Sequence, residues 1–208
     1  MTSRRHRAIL VAALVLAVTT LTGRAALAGA PTDQMRAQID RVLKTLEDPE
    51  LKKENRAKDR RAAVRKIAND IFDFSETARR SLGRHWQGRT QAERDEFVQL
   101  FSELLERSYI TKIENYHGER IVYGSEAVDG DLANVRTKLI TRQGTEVPIE
   151  YRMILRGNRW WVYDVVIEGV SLISNYRTQF NKIIQTSSFQ ELIRKMRTRQ
   201  DEAQNSTQ

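Results

Sequence analysis

The sequence predicts an α+β domain in which helices precede and follow a curved antiparallel sheet of four strands. Three observations carry that expectation. Apolar residues recur at helical spacing as far as about Tyr109, they alternate from Arg120 to Ile167, and helical spacing returns after Ser171. The alternating segments are separated only by short turn-rich stretches, so sequence neighbours must pair antiparallel.

The first 28 residues stand apart from this domain. Arg4, Arg5 and Arg7 precede the apolar run Ala8 to Leu21, and Ala26-Leu27-Ala28 places small residues at a processing site. This is the pattern of a secretory signal peptide cleaved near Ala28, because the run is shorter than the ~20 apolar residues of a membrane span. A single domain is expected over residues 29–200, followed by a disordered tail at 201–208.

Export changes the charge balance. The chain has 35 basic and 27 acidic residues, and four of the basic ones (Arg4, Arg5, Arg7, Arg24) leave with the signal, taking the net charge from +8 to +4. That excess favours solubility and contact with anionic membrane surfaces, and it does not point to nucleic acid. There are no cysteines, so an exported chain of this length must be held together by packing rather than by disulfides. Periplasmic localisation follows.

Met35, Ile39, Val42, Leu43 and Leu46 share one face of a first helix that stops near Pro49. A second helix is expected from Leu51, with eight basic residues between Lys52 and Lys66 on its solvated part and Val64, Ile67, Ala68 and Ile71 inward. Thr90 and Glu93 form a capping box for a long helix whose apolar stripe is Phe97, Leu100, Phe101, Leu104, Leu105 and Tyr109. The segments RIVYG, LANVRTKLIT, EVPIEYRMILR and RWWVYDVVIE read as strands. Two helices close the chain, the second with Ser188 as cap and Glu191 as its partner.

Parity sharpens the last hairpin. Ile149, Tyr151, Met153 and Leu155 are apolar on one strand, and Trp161, Tyr163, Val165 and Ile167 on the next. A two-residue Gly157-Asn158 loop would mix the faces, so a three-residue or bulged turn is expected, opposing Leu155 to Trp161 and Met153 to Tyr163. That register sets Arg152 against Asp164 on the charged face, as a structural ion pair. Ala133, Val135, Thr137 and Leu139 extend the apolar face, while Asn134, Arg136 and Lys138 extend the charged one. Gly169 is expected to bend the chain after the last strand and Ser171 to cap the helix that follows.

The chemistry of an enzyme is hard to assemble from these residues. His85 and His117 are isolated, and HExxH, G-x-S-x-G and Gly-rich phosphate loops are all missing. His117 beside Glu119 is the best acid/base pair the chain offers. No catalytic residue, metal site or cofactor is expected.

The landmarks Phe72 to Phe74, Leu82 to Trp86, the helix ERDEFVQLFSELLERSY and the run from Trp160 to Phe180 resemble, in this order, the toluene-tolerance or MlaC family of periplasmic phospholipid-binding proteins. The resemblance implies an NTF2-like or cystatin-like sheet arrangement wrapped by helices around an apolar cavity. It further implies a glycerophospholipid held by its acyl chains, with an outer-membrane lipoprotein complex and an inner-membrane ABC transporter bearing MCE-domain rings as partners, and maintenance of outer-membrane lipid asymmetry as the role. On that basis Phe101, Leu105, Tyr109, Val135, Tyr151, Met153, Trp161, Tyr163 and Val165 are expected to line the cavity. Three alternatives stay open: a hopanoid or other polycyclic lipid as cargo, a lipid-free adaptor, and a small-molecule enzyme on an NTF2-like fold using Asp164 or His117.

Overall fold

The computed structural model describes residues 30–205, and the expected signal peptide lies outside the described residues. Six helices flank a five-stranded antiparallel sheet. In chain order these are α1 (Pro31–Glu47), α2 (Ala57–Ile71), α3 (Phe74–Leu82), α4 (Gln91–Glu114), β1 (Arg120–Asp129), β2 (Leu132–Ile140), β3 (Glu146–Arg156), β4 (Arg159–Ile167), β5 (Val170–Ser171), α5 (Leu172–Thr186) and α6 (Phe189–Asn205). The strands lie side by side in sequence order.

Local chemistry fixes the helix boundaries. Pro31 opens α1, where its missing N–H costs nothing. The charged stretch after Pro49 forms turns and one 3₁₀ turn at Glu54–Arg56, so α2 starts later than the sequence predicts. The Asp73 carboxylate accepts from the Glu76 amide and caps α3. At α4 the expected capping box is present in both directions between Thr90 and Glu93. α6 continues through Asp201 to Asn205, inside the segment expected to be a tail, because Asp201-Glu202-Ala203-Gln204 carries no helix breaker.

The sheet departs from the expected hairpin in an instructive way. Arg156 pairs with Arg159, so the β3–β4 turn has two residues, with Gly157 at the positive φ of 62° that the first central position of a type II′ turn needs. The extra residue sits inside β4, where the register shifts between the Arg152–Asp164 and Met153–Val162 pairs. Tyr163 is thus the added residue of a β-bulge. Trp160 opposes Leu155 and Val162 opposes Met153, whereas Val165 opposes Tyr151 and Ile167 opposes Ile149. The bulge changes the parity of β4 midway, so one inner face runs through Trp160, Val162, Val165 and Ile167. Trp161 belongs to the opposite face, contrary to expectation.

α3 supplies the partners that a bulge requires. The Asp73 amide donates to the Val162 carbonyl at 2.9 Å, and the Thr77 hydroxyl reaches the Tyr163 carbonyl at 3.0 Å. These carbonyls would otherwise be left without a ladder partner. A second turn, Glu168-Gly169, has φ of 51° and 81° and returns the chain as β5, the fifth strand, before α5 begins. Gly169 therefore makes a hairpin turn rather than a simple bend into the helix.

Two separate apolar cores result. One joins α3, α4, α5 and α6 around Phe97, Phe101, Phe180, Phe189 and Leu192. Phe97 and Phe180 meet edge to face with centroids 5.5 Å apart, as do Phe101 and Tyr176 at 5.0 Å. The other joins α1 and α2 to the inner sheet face through Met35, Ile39, Ile67, Ile71, Val135, Met153 and Val162. The opposite sheet face carries the ion pairs Arg136–Glu150, Arg152–Glu150 and Arg152–Asp164.

Candidate functional site

Where the two cores fail to meet, a cleft of about 1360 Å³ opens. This exceeds the roughly 300–1,000 Å³ of ordinary small-ligand sites. Its walls are the lower part of α4 (Leu105, Tyr109, Ile110, Ile113), α2 (Val64, Ala68), α1 (Ile39, Val42, Leu43) and the sheet (Ile121, Leu139, Ile149, Tyr151, Val165, Ile167). α4 divides its work along its length. Phe97, Leu100 and Phe101 are buried in the helical core, and Leu105, Tyr109, Ile110 and Ile113 further along face the cleft.

Most of the side chains expected to line a cavity do border this space, namely Phe101, Leu105, Tyr109, Tyr151, Tyr163 and Val165. Three do not. Val135 and Met153 are fully packed between the sheet and α1–α2, and Trp161 lies on the far side of the bulge beneath the Arg159 guanidinium, 4.3 Å from the ring centre. Parity along β4 could not place Trp161 because the inserted residue reverses it. Sequence reasoning also missed Val64, Ile110, Ile121 and Ile149 as lining residues. Their signal was present as apolar residues on the inward faces of α2, α4, β1 and β3.

Several of the cleft's polar groups are already engaged. Asp164 borders the space, which parity did not predict, but its carboxylate accepts from the Ser171 hydroxyl at 2.7 Å, the Ile173 amide at 3.1 Å and Arg152 at 3.2 Å. Ser171 in turn caps α5 by accepting from the Ser174 amide. Burial pushes the Tyr151 hydroxyl up to about 12. The Tyr163 ring is covered by Arg80, whose guanidinium lies 3.9 Å from the ring centre. His117 is held away from the cleft lining, with its carbonyl taken by Arg142 and its amide by Glu119. The arrangement offers apolar volume rather than a nucleophile and base in reach of one another. Among the described residues no cluster of three or more His, Cys, Asp or Glu is placed to hold a metal, and no helix is long and apolar enough to cross a membrane.

Comparison with known proteins gives a consistent result. A solved structure of a phospholipid-binding protein from Ralstonia solanacearum, in complex with a phospholipid, matches with a TM-score of 0.73 at 25% identity, covering 83% of this chain and 98% of that one. The chain is 28% identical over 138 residues to the intermembrane phospholipid transport system binding protein MlaC of Haemophilus influenzae. That alignment spans 62% of this chain and 64% of the relative's length. The model of the MlaC protein family matches residues 36–198, and the chain belongs to that family.

Proposed function

We propose that this protein is a non-enzymatic periplasmic carrier that holds a glycerophospholipid by its acyl chains and moves it between outer- and inner-membrane complexes. The observation that carries this reading is the cleft of about 1360 Å³ between two apolar cores, walled by aliphatic and aromatic side chains. The related Ralstonia protein, which was solved with a phospholipid, supports it. An inner-membrane ABC transporter with MCE-domain rings and an outer-membrane lipoprotein complex are the partners that such a carrier implies, with transient contact at the membrane surface.

The energetics fit a carrier. Each buried CH₂ contributes about 0.8 kcal/mol, so two acyl chains hold far more tightly in water than a shuttle requires. Spontaneous leakage is therefore slow, and release depends on a partner that opens the cleft or competes for the chains. The test is gentle purification followed by native mass spectrometry and lipid extraction. One glycerophospholipid per chain supports the reading. A polycyclic lipid assigns the other cargo, and lipid-free protein from every preparation favours an adaptor or an enzyme instead.

A further inference from the structure

We propose that the seam between α2 and α4 is the portal through which cargo enters and leaves the cleft, latched by Arg60, Arg61, Arg65, Glu106 and Glu114. The inference rests on the carrier reading for the identity of the cargo, but the latch itself is a property of the fold.

The two helices belong to different cores. Ile67 and Ile71 bind α2 to the sheet side, and Phe97, Leu100 and Phe101 bind α4 to the helical side. Between them both helices turn apolar side chains to the cleft, Val64 and Ala68 from one and Leu105, Tyr109 and Ile113 from the other. Ion pairs span the gap over this apolar floor. Arg61 donates to Glu114 at 2.9 Å, Arg60 donates to the other oxygen of Glu114 at 3.2 Å, and Arg65 donates to Glu106 at 2.5 Å.

Relative costs select this wall as the one that opens. The sheet side is closed by hydrogen-bonded ladders, and the start of α5 is tied to Asp164. Separating α4 from its own core would expose Phe97 and Phe101, which are essentially inaccessible to solvent. Of the arginines of the seam, by contrast, Arg61 and Arg65 keep 44% and 58% of their side chains in solvent, while Arg60 keeps 18%. The Arg65–Glu106 pair, on the exposed side, is of the kind that is weak and screened by salt. Glu114 makes the closed state definite, because its side chain is only 8% exposed and needs its arginines to offset its burial. Positioning these residues at the portal gives the basic segment of α2 a use that a plain solvated face does not.

The chain has no cysteine, so a single engineered pair can be bridged selectively. The experiment uses Arg65→Cys with Glu106→Cys, closed by a bis-maleimide linker, and follows two rates. One is transfer of a fluorescent phosphatidylglycerol between the protein and phosphatidylethanolamine/phosphatidylglycerol vesicles. The other is entry of an apolar, environment-sensitive dye into lipid-free protein, which does not depend on the natural cargo. Bridging should slow both by about tenfold or more relative to the unbridged variant, which should itself be faster than the wild type. Added salt should speed the wild type and leave the bridged protein unchanged. Glu106→Gln, a milder change, should also speed dye entry. Equal dye-entry rates in bridged and unbridged protein would overturn the latch. Slowed dye entry in a protein that never takes up phospholipid would leave the latch standing and remove the carrier reading.

Discussion

The Asp164 carboxylate accepts the backbone N–H of Ile173 at 3.1 Å, joining the middle of β4 to the first turn of α5. Its second oxygen takes the Ser171 hydroxyl and the Arg152 guanidinium, and Ser171 takes the Ser174 amide. One buried carboxylate thus satisfies an orphan donor at the helix start and holds the residue that satisfies another. Asp164→Ala should lower stability by about 3 kcal/mol, because it leaves the Ile173 amide and the Ser171 hydroxyl without their acceptor. Ser171→Ala should cost about 1 kcal/mol. Urea unfolding of both and of the double variant should show less than the sum, since the two side chains share a bond. Equal costs for the two single changes would refute this ranking.

Glu76 should govern acid stability. The hydrogen bond from Arg79, followed by that from Arg80, outweighs burial and holds its carboxyl at about 2, below the ordinary 4.5. A depressed folded value means that the contribution is fully present above about 4.5 and is lost as pH falls towards 2. A shift of this size corresponds to about 3 kcal/mol at most, and the effective contribution is nearer ~2 kcal/mol because its arginines face solvent. Glu76→Gln should therefore destabilise the protein at neutral pH and flatten the fall in unfolding free energy between pH 5 and pH 2, to be read from urea midpoints at each pH. A wild-type slope retained in Glu76→Gln would assign the acid sensitivity to other groups.

Cargo loading should follow the bulged register. Val165 faces the cleft opposite Tyr151, and Trp161 does not. On the carrier reading, Val165→Trp fills volume proposed for acyl chains and Tyr163→Glu places a charge at its edge, so both should reduce co-purified lipid several-fold in folded protein. Trp161→Ala should leave lipid content unchanged while costing some stability. Lipid phosphorus per mole of protein is the measurement, with circular dichroism as the folding control. A loss of lipid in Trp161→Ala alone would place the inner face where simple alternation puts it.

Much of this arrangement was legible because it is written in local patterns. The α4 capping box, the apolar face of α1, the Ser188 cap of α6, the inward alternation of β2 and β3, and the Arg152–Asp164 opposition each depend on residues whose spacing is visible. The bulge at Tyr163 was not. Its cause lies almost ninety positions away in sequence, where Asp73 and Thr77 offer donors to the Val162 and Tyr163 carbonyls. Alternation showed that one extra residue was needed to keep the face apolar, but only that tertiary contact fixes whether it lies in the turn or in the strand. The cleft was hidden for a related reason. Apolar side chains that pack against each other and those that face an unfilled space have the same pattern, as Met153 and Tyr151 illustrate on one strand.

The tyrosines of the inner face should set an alkaline limit. Burial pushes the hydroxyls of Tyr123 and Tyr151 up to about 12 from the ordinary 10.0. A raised folded value means that the folded state keeps its protons after the unfolded chain has released them. Stability is then full below pH 10 and declines as pH rises from 10 towards 12. Tyr151→Phe removes one of these groups and keeps the ring. The variant should match the wild type at neutral pH within about 1 kcal/mol and lose stability less steeply above pH 10. Urea unfolding across that range, with tyrosinate absorbance followed in parallel, supplies the comparison. Superimposable curves for the two proteins above pH 10 would show that Tyr151 titrates alike in the folded and unfolded states, and that its hydroxyl is in free contact with water inside the cleft.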